Sequence, residues 1–127
     1  MADVIMIPET GLAIITNRMI GAGTEPHWIH WGTGTTAPVV GNTQMETPGP
    51  EARTVGTASR DLTNVANDTF KVVGTIICTT ASKAITEVGL FDALTVGNLF
   101  LRGTFSAINV NVGDSIEFTI KAVFDQG

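Results

Sequence analysis

The chain has 127 residues, of which 43% are apolar and only 15% charged, and its formal net charge is −5. This length fits a single domain with a core of its own, whereas the charged fraction lies below the usual value of about 25%. Because the 7 Lys and Arg side chains are scattered rather than clustered, the composition excludes a protein built mainly to bind nucleic acid.

The first eight residues are apolar and extended in character, with Val4, Ile5, Met6 and Ile7 standing together before Pro8. Large apolar side chains are unfavourable in water, and free termini are usually polar. We therefore expect residues 1–8 to form either an edge strand of their own domain or an arm that docks on a neighbouring subunit. The four consecutive apolar residues are interface candidates.

Residues 10–20 predict a short helix that begins at Thr10 as its N-cap and ends before Gly21 and Gly23. Eleven residues alone would be marginal, so this helix must lie against a sheet or a partner. Its predicted apolar face consists of three residues at helical spacing: Leu12, Ile15 and Met19.

Short extended runs, separated by turns rich in Gly, Pro, Asn and Thr, fill the rest of the chain. The predicted strands are residues 26–31, 51–62, 69–80, 85–91, 99–105 and 116–123. We expect the second and third of these to pair as a hairpin, and we expect turns at Gly97-Asn98 and Gly113-Asp114. The glycine-rich loop 32–38 lacks the lysine and the spacing of a phosphate loop.

The last predicted strand shows the clearest alternation of apolar and polar residues. Its apolar residues, with Phe105, are expected to form the core: Ile116, Phe118, Ile120 and Ala122. Glu117, Thr119 and Lys121 face the other way and are interpreted as a solvated strand face rather than a binding site. The pattern predicts an all-β fold over residues 1–127, an antiparallel β-sandwich or jelly-roll-like barrel with one short N-terminal helix.

Few side chains are of the types that bind metals, stack on ligands or act as nucleophiles. His27 and His30 are the only weak candidates for metal ligands, and in a strand they point to opposite faces. Trp28 and Trp31 also lie on opposite faces, so one is expected in the core and the other exposed or in a subunit interface, with a sugar-binding platform as the alternative. Cys78, in an apolar run, is expected to be buried and inert.

No catalytic residues and no cofactor are predicted, because the serines lack a His and Asp pattern and the carboxylates are scattered singly. The N-terminus lacks a basic leader with a cleavage site, and no apolar run approaches about 18 residues. We therefore expect no enzyme, no secretion signal and no membrane contact.

Three runs of the sequence resemble known proteins. The runs ITEVGLFDA and GNLFLRGTFSAINVNVGDSIEFTI, with GAGTEPHWIHWGTGTTAP near the front, resemble structural proteins of tailed-bacteriophage virions. Some of these are capsid decoration (cement) proteins and others are tail fibres. The resemblance implies a non-enzymatic decoration protein on the outer capsid surface, assembled in the bacterial cytoplasm as a homotrimer bound to the major capsid protein. A tail-associated fibre, collar or receptor-binding protein is the alternative.

Overall fold

The computed structural model describes residues 4–124, which form one helix and eight strands. The first three residues of the predicted segment 1–8 lie outside the described residues. The elements are β1 (Val4–Met6), α1 (Glu9–Met19), β2 (Trp28–Gly32), β3 (Thr54–Val55), β4 (Thr57–Asp61), β5 (Thr69–Ile77), β6 (Lys83–Phe91), β7 (Leu99–Val110) and β8 (Ser115–Val123).

The strands form two antiparallel sheets, so the predicted sandwich is confirmed. The larger sheet has the order β1-β7-β6-β2-β3 and the smaller one the order β4-β5-β8. Apolar side chains from both sheets and from α1 make a single main core, including Ile29, Val72, Leu90 and Phe118. A smaller cluster of Met45, Phe91 and Leu99 extends it.

The N-terminal apolar segment forms an edge strand of its own domain. Val4–Met6 pairs antiparallel with β7, Ile5 lying opposite Gly103. Ile7 packs against the main core, whereas Ile5 remains 60% exposed. The segment thus joins the fold through its backbone and leaves one large apolar side chain in water.

The predicted helix is confirmed, but its apolar face and its cap were wrong. Of the three predicted face residues only Ile15 packs against the core; Leu12 is exposed and Met19 is 80% exposed, while Gly11 and Ile14 are the buried residues of the helix. A β-carbon on Gly11 would collide with the Phe100 carbonyl, so only glycine permits this close approach of α1 to β7.

Thr10 does not cap the helix, because its hydroxyl donates instead to the Leu99 carbonyl at 2.7 Å. The predicted end is correct. Gly21 adopts a φ of 78°, and the Gly21 and Ala22 amides donate back to Arg18 and Asn17.

The predicted strand 51–62 is in fact two strands in different sheets. β3 pairs with β2 in the large sheet, and β4 pairs with β5 in the small one, as the hairpin prediction expected. The chain crosses between the sheets at Gly56, where a β-carbon would collide with Val72. β7 and β8 likewise lie in different sheets, joined by a turn in which Gly113 has a φ of 97°.

Candidate interaction surface

β8 forms one edge of the small sheet, and it pairs only with β5 among the described strands. Its register with β5 is continuous over nine residues, and Phe118 lies opposite Gly74. Hydrogen bonds at both ends fix which backbone groups face β5: Cys78 N–H donates to the Asp114 carbonyl and Phe124 N–H to the Asp68 carbonyl, both at 2.8 Å.

In an antiparallel pair, hydrogen-bonded residues alternate with residues whose backbone groups point away. Asp114 and Phe124 are both even-numbered and lie on the register of the β5–β8 pair. The even-numbered residues of β8 therefore bond to β5. The odd-numbered residues direct their N–H and C=O groups to the free edge, and Glu117, Thr119 and Lys121 lie at its centre.

Beside this edge the two sheets part and leave an apolar cleft of about 350 Å³. Phe105 and Phe118 lie in it with ring centroids 6.3 Å apart. Ile5 from β1 and Ile116 from β8 also line it, so the free edges of both sheets open on the same side of the molecule. We call this region, comprising the outer edge of β8 and the cleft, the open side.

The outer face of the small sheet carries charges that are only partly matched. Asp61 lies 3.3 Å from the Lys71 ammonium and 3.4 Å from the Lys121 ammonium. The Leu62 amide and then these lysines hold the pKa of the Asp61 carboxyl below its ordinary value. Two cations thus share one carboxylate, while Glu117 forms no ion pair with any described residue.

A second apolar surface lies on α1. Leu12 and Met19 of the helix are exposed, Met19 at 80%, and Ile20, the residue that caps its C-terminus, is 79% exposed. Between α1 and the sheets lies an apolar groove of about 330 Å³, lined by Ile15, Phe70, Phe100 and Phe124 among others.

The opposite side of the sandwich is closed by residues 33–53, which fold over β2, β6 and part of β7. Glu87 is fully buried there and accepts hydrogen bonds from the Gly34, Glu46 and Thr47 amides and from Arg102 Nε at 2.8 Å. Arg102 is also buried, and its Nη2 has no hydrogen-bond partner within residues 4–124. This pair joins two neighbouring strands to the covering loop. We call this region the closed side.

Glu51 organises a second buried network on the closed side. It accepts from Trp31 Nε1 at 3.0 Å, from the Thr80 hydroxyl at 2.8 Å and from the Lys83 ammonium at 2.8 Å. Burial opposes ionisation of this carboxyl, but the hydrogen bonds outweigh it and hold the pKa of Glu51 well below its ordinary value. The hydrogen bond that the Lys83 ammonium donates to Glu51 raises the pKa of Lys83.

Cys78 is buried, as predicted. A basic group nevertheless lies beside it, because the Lys83 ammonium is 3.3 Å from its sulfur. Lys83 is only five positions along the chain, and the turn between β5 and β6 brings it back. The thiol is nonetheless fully shielded from solvent.

The other predicted site residues do not converge. His27 Nδ1 lies 3.0 Å from the Glu25 carbonyl, and His30 Nε2 lies 2.9 Å from the Gly49 carbonyl. Trp31 is 0% exposed and is therefore not an interface residue, and Trp28 packs half-buried on the smaller core cluster. Within residues 4–124 no three His, Cys, Asp or Glu side chains come together as metal ligands would.

None of the described helices has the length and apolar character needed to cross a membrane. No protein-family model, no curated protein and no solved structure matches this chain.

Proposed function

We propose that this protein is a non-enzymatic structural component of a phage virion, a decoration protein that binds the outer capsid shell between capsid subunits and stabilises the head. The resemblance of residues 21–38 and 85–120 to virion proteins is what points to a particle. The observation in this fold that supports the proposal is the exposed apolar face of α1. Its large side chains are not buried within the described chain, and contact with a partner would remove them from water.

That face consists of Leu12, Met19 and Ile20, more than half exposed in each case. Burying one such side chain contributes about 1.5–3 kcal/mol. Contact with a major capsid protein over this face would therefore stabilise the shell by buried area, with no chemical step. The net charge of −5 disfavours contact with packaged nucleic acid, so the outer surface is the proposed location. On the shell the copies would group as trimers, as the resemblance implies.

The proposal is tested by locating and counting the chain in purified particles. A decoration protein is expected on the head in numbers comparable to the capsid subunits. A few copies at the tail would instead favour the tail-associated alternative, and absence from particles would contradict both.

A variant of the helix face links location to this surface. Met19→Asp is expected to abolish attachment to the head while leaving the fold intact. Asn17→Asp, exposed on the same helix but turned away from the Leu12 and Met19 face, is the control and is expected to attach normally. Equal attachment by both variants would show that α1 does not face the shell.

A further inference from the structure

We infer that the free edge of β8 pairs with β8 of a second copy of this chain, antiparallel, about a twofold axis through Thr119. An edge strand of nine residues with unpaired backbone groups is a template for strand addition. Natural edges are commonly blocked by proline, a bulge, a covering segment or a charged side chain. Lys121 is such a charge on β8, but Glu117 on the same strand has the opposite sign, so an antiparallel copy can pair the two. β8 contains no proline, shows no register shift against β5, and is left uncovered by the other described strands.

Backbone geometry restricts the register. Because the odd-numbered residues of β8 direct their N–H and C=O groups outward, an antiparallel partner must place odd residues opposite odd residues. An axis through Thr119 meets this condition. It sets Ser115 opposite Val123 of the second copy, Glu117 opposite Lys121, and Thr119 opposite itself, with about ten new hydrogen bonds.

Charge selects this register from its neighbours. An axis through Glu117 would set two carboxylates directly opposite each other, and an axis through Lys121 would do the same with two ammonium groups, which is destabilising. Axes through Phe118 or Ile120 would leave no Glu opposite a Lys. Only the axis through Thr119 makes two Glu117–Lys121 pairs.

The unmatched charges on the outer face agree with this pairing. Lys71 and Lys121 share the single carboxylate of Asp61, at 3.3 and 3.4 Å, and so leave one positive charge without a partner. Glu117 of the second copy would bring a second carboxylate to Lys121. Glu117, which lacks an ion pair in its own described chain, would gain one.

The inner face is complementary as well. The same register sets Phe118 opposite Ile120 of the second copy, which continues the apolar face of the small sheet across the axis. The cleft, with Ile5 and Phe105, opens on this side and would be covered by the second copy. The small sheets of the two copies would join into a single six-stranded sheet.

This inference does not depend on the virion proposal. A twofold strand pair closes with two copies. It therefore predicts a dimer in solution, and on a shell it would connect copies that belong to neighbouring trimers.

Light scattering over a range of concentrations measures the association. We expect the mass of the wild-type chain to rise to twice 13.3 kDa. Glu117→Lys and Lys121→Glu each place like charges opposite each other and are expected to raise the dimer dissociation constant at least about tenfold. The double variant Glu117→Lys/Lys121→Glu restores opposite charges and is expected to return it to near the wild-type value.

Thr57→Lys is the control for Glu117→Lys, because Thr57 is exposed on the outer face of the same sheet but lies on β4, two strands away from β8. It adds positive charge to the same face without touching the edge, and it is expected to leave the dissociation constant unchanged. Circular dichroism melts are the check that each variant is folded.

Cysteine cross-linking tests the register itself. In Thr119→Cys the two thiols face each other across the axis with α-carbons about 5.5 Å apart, within the range for a disulfide. Mild oxidation is expected to yield a covalent dimer. Glu117→Cys alone places its two thiols about 14 Å apart and is expected not to cross-link, whereas Glu117→Cys/Lys121→Cys is expected to do so. The native Cys78 is buried and does not compete.

A chain that stays a single copy at every concentration, or that forms a trimer in solution, overturns the inference. So does a dimer in which Thr119→Cys fails to cross-link or Glu117→Cys alone succeeds. None of these outcomes bears on attachment to the head, so the virion proposal is judged separately by the particle experiment.

Discussion

The closed side and the open side of this sandwich are held together by different means. On the closed side, Glu51 and Glu87 are buried and bound by amides, hydroxyls and cations from several elements. On the open side, β8 alternates strictly between core and solvent and carries no buried charge. On the closed side, polar groups hold the covering loop in place. On the open side, a backbone edge and an apolar cleft have no partner among the described residues.

Mutations on the two sides should therefore affect different properties of the protein. Removing one partner from a buried ionic network leaves an uncompensated charge, so changes on the closed side should act on folding. The open side exposes its polar groups to water in the single chain, so changes there should act on association. Large effects on stability are thus expected on one side, and effects on assembly on the other.

The largest expected effect is that of Glu87→Ala on the closed side. It leaves buried Arg102 and the Gly34, Glu46 and Thr47 amides without their acceptor, and should cost about 3–5 kcal/mol and lower the Tm by about 10–20 °C. The control is Glu117→Ala, the same substitution on the open side. It should change the free energy of unfolding by less than about 0.5 kcal/mol when measured on single copies. Equal losses in the two variants would contradict the comparison.

Phe118→Ala tests where the core ends on the open side. Phe118 is buried but lies at the cleft, so its removal should cost about 3 kcal/mol, the low end of the range for a buried aromatic residue. Thermal or denaturant unfolding measures it. Phe124→Ala, at a half-exposed position, should cost much less. A Phe118→Ala chain as stable as the wild type would mean that the core does not reach the cleft.

Acid should weaken the closed side. The pKa of Glu51 is lowered by folding from its ordinary value of 4.5, so below about pH 4.5 the unfolded chain binds more protons than the folded chain. Stability is therefore fully present at neutral pH and falls as the pH drops. Asp68, whose pKa is also lowered, through hydrogen bonds from Thr69 and nearby amides, acts in the same direction.

Glu51→Gln isolates this contribution. It should cost about 1–3 kcal/mol at pH 7, because the Lys83 ammonium loses its charged partner. The difference from the wild type should shrink as the pH falls below about 4.5. A difference that stays constant down to pH 2 would show that ionisation of Glu51 does not stabilise the fold.

The smallest expected effect on stability is that of Ile5→Ser. Ile5 is 60% exposed, so the free energy of unfolding should change by about 0.5 kcal/mol or less. The same variant should weaken dimer formation, because Ile5 lines the cleft that the second copy would cover. A large drop in Tm with unchanged association would reverse the roles assigned to the two sides.

Local patterns were enough to predict much of the open side. The alternation of β8 and the turn at Gly113 follow from strand periodicity and turn chemistry. For residues 1–8 the apolar composition left an edge strand and a docking arm as equal alternatives. The same residues gave no sign of which edge stays free, because the order of strands depends on pairings distant in sequence. Glu117, Thr119 and Lys121 were consequently interpreted as a solvated face.

The buried ionic contacts of the closed side were not predicted from the sequence. Glu87 and Arg102 stand out in the sequence as single charges of opposite sign within the apolar runs ITEVGLF and LFLRGTF. That signal could have predicted a buried pair across neighbouring strands. The helix face was wrong for a related reason. Hydrophobicity favoured Leu12 and Met19, whereas the close approach of Gly11 to the Phe100 carbonyl decides which face packs.

The claim that the open side is free in one copy and covered by a second is tested most directly by amide hydrogen exchange in β8 at low and high protein concentration. At low concentration the Phe118 and Ile120 amides, bonded to β5, should be protected, and those of Glu117, Thr119 and Lys121 should exchange freely. At high concentration these three should become protected at least about tenfold, with Phe118 and Ile120 unchanged. Odd-numbered amides that exchange at the same rate at every concentration, whether fast or slow, would contradict the account.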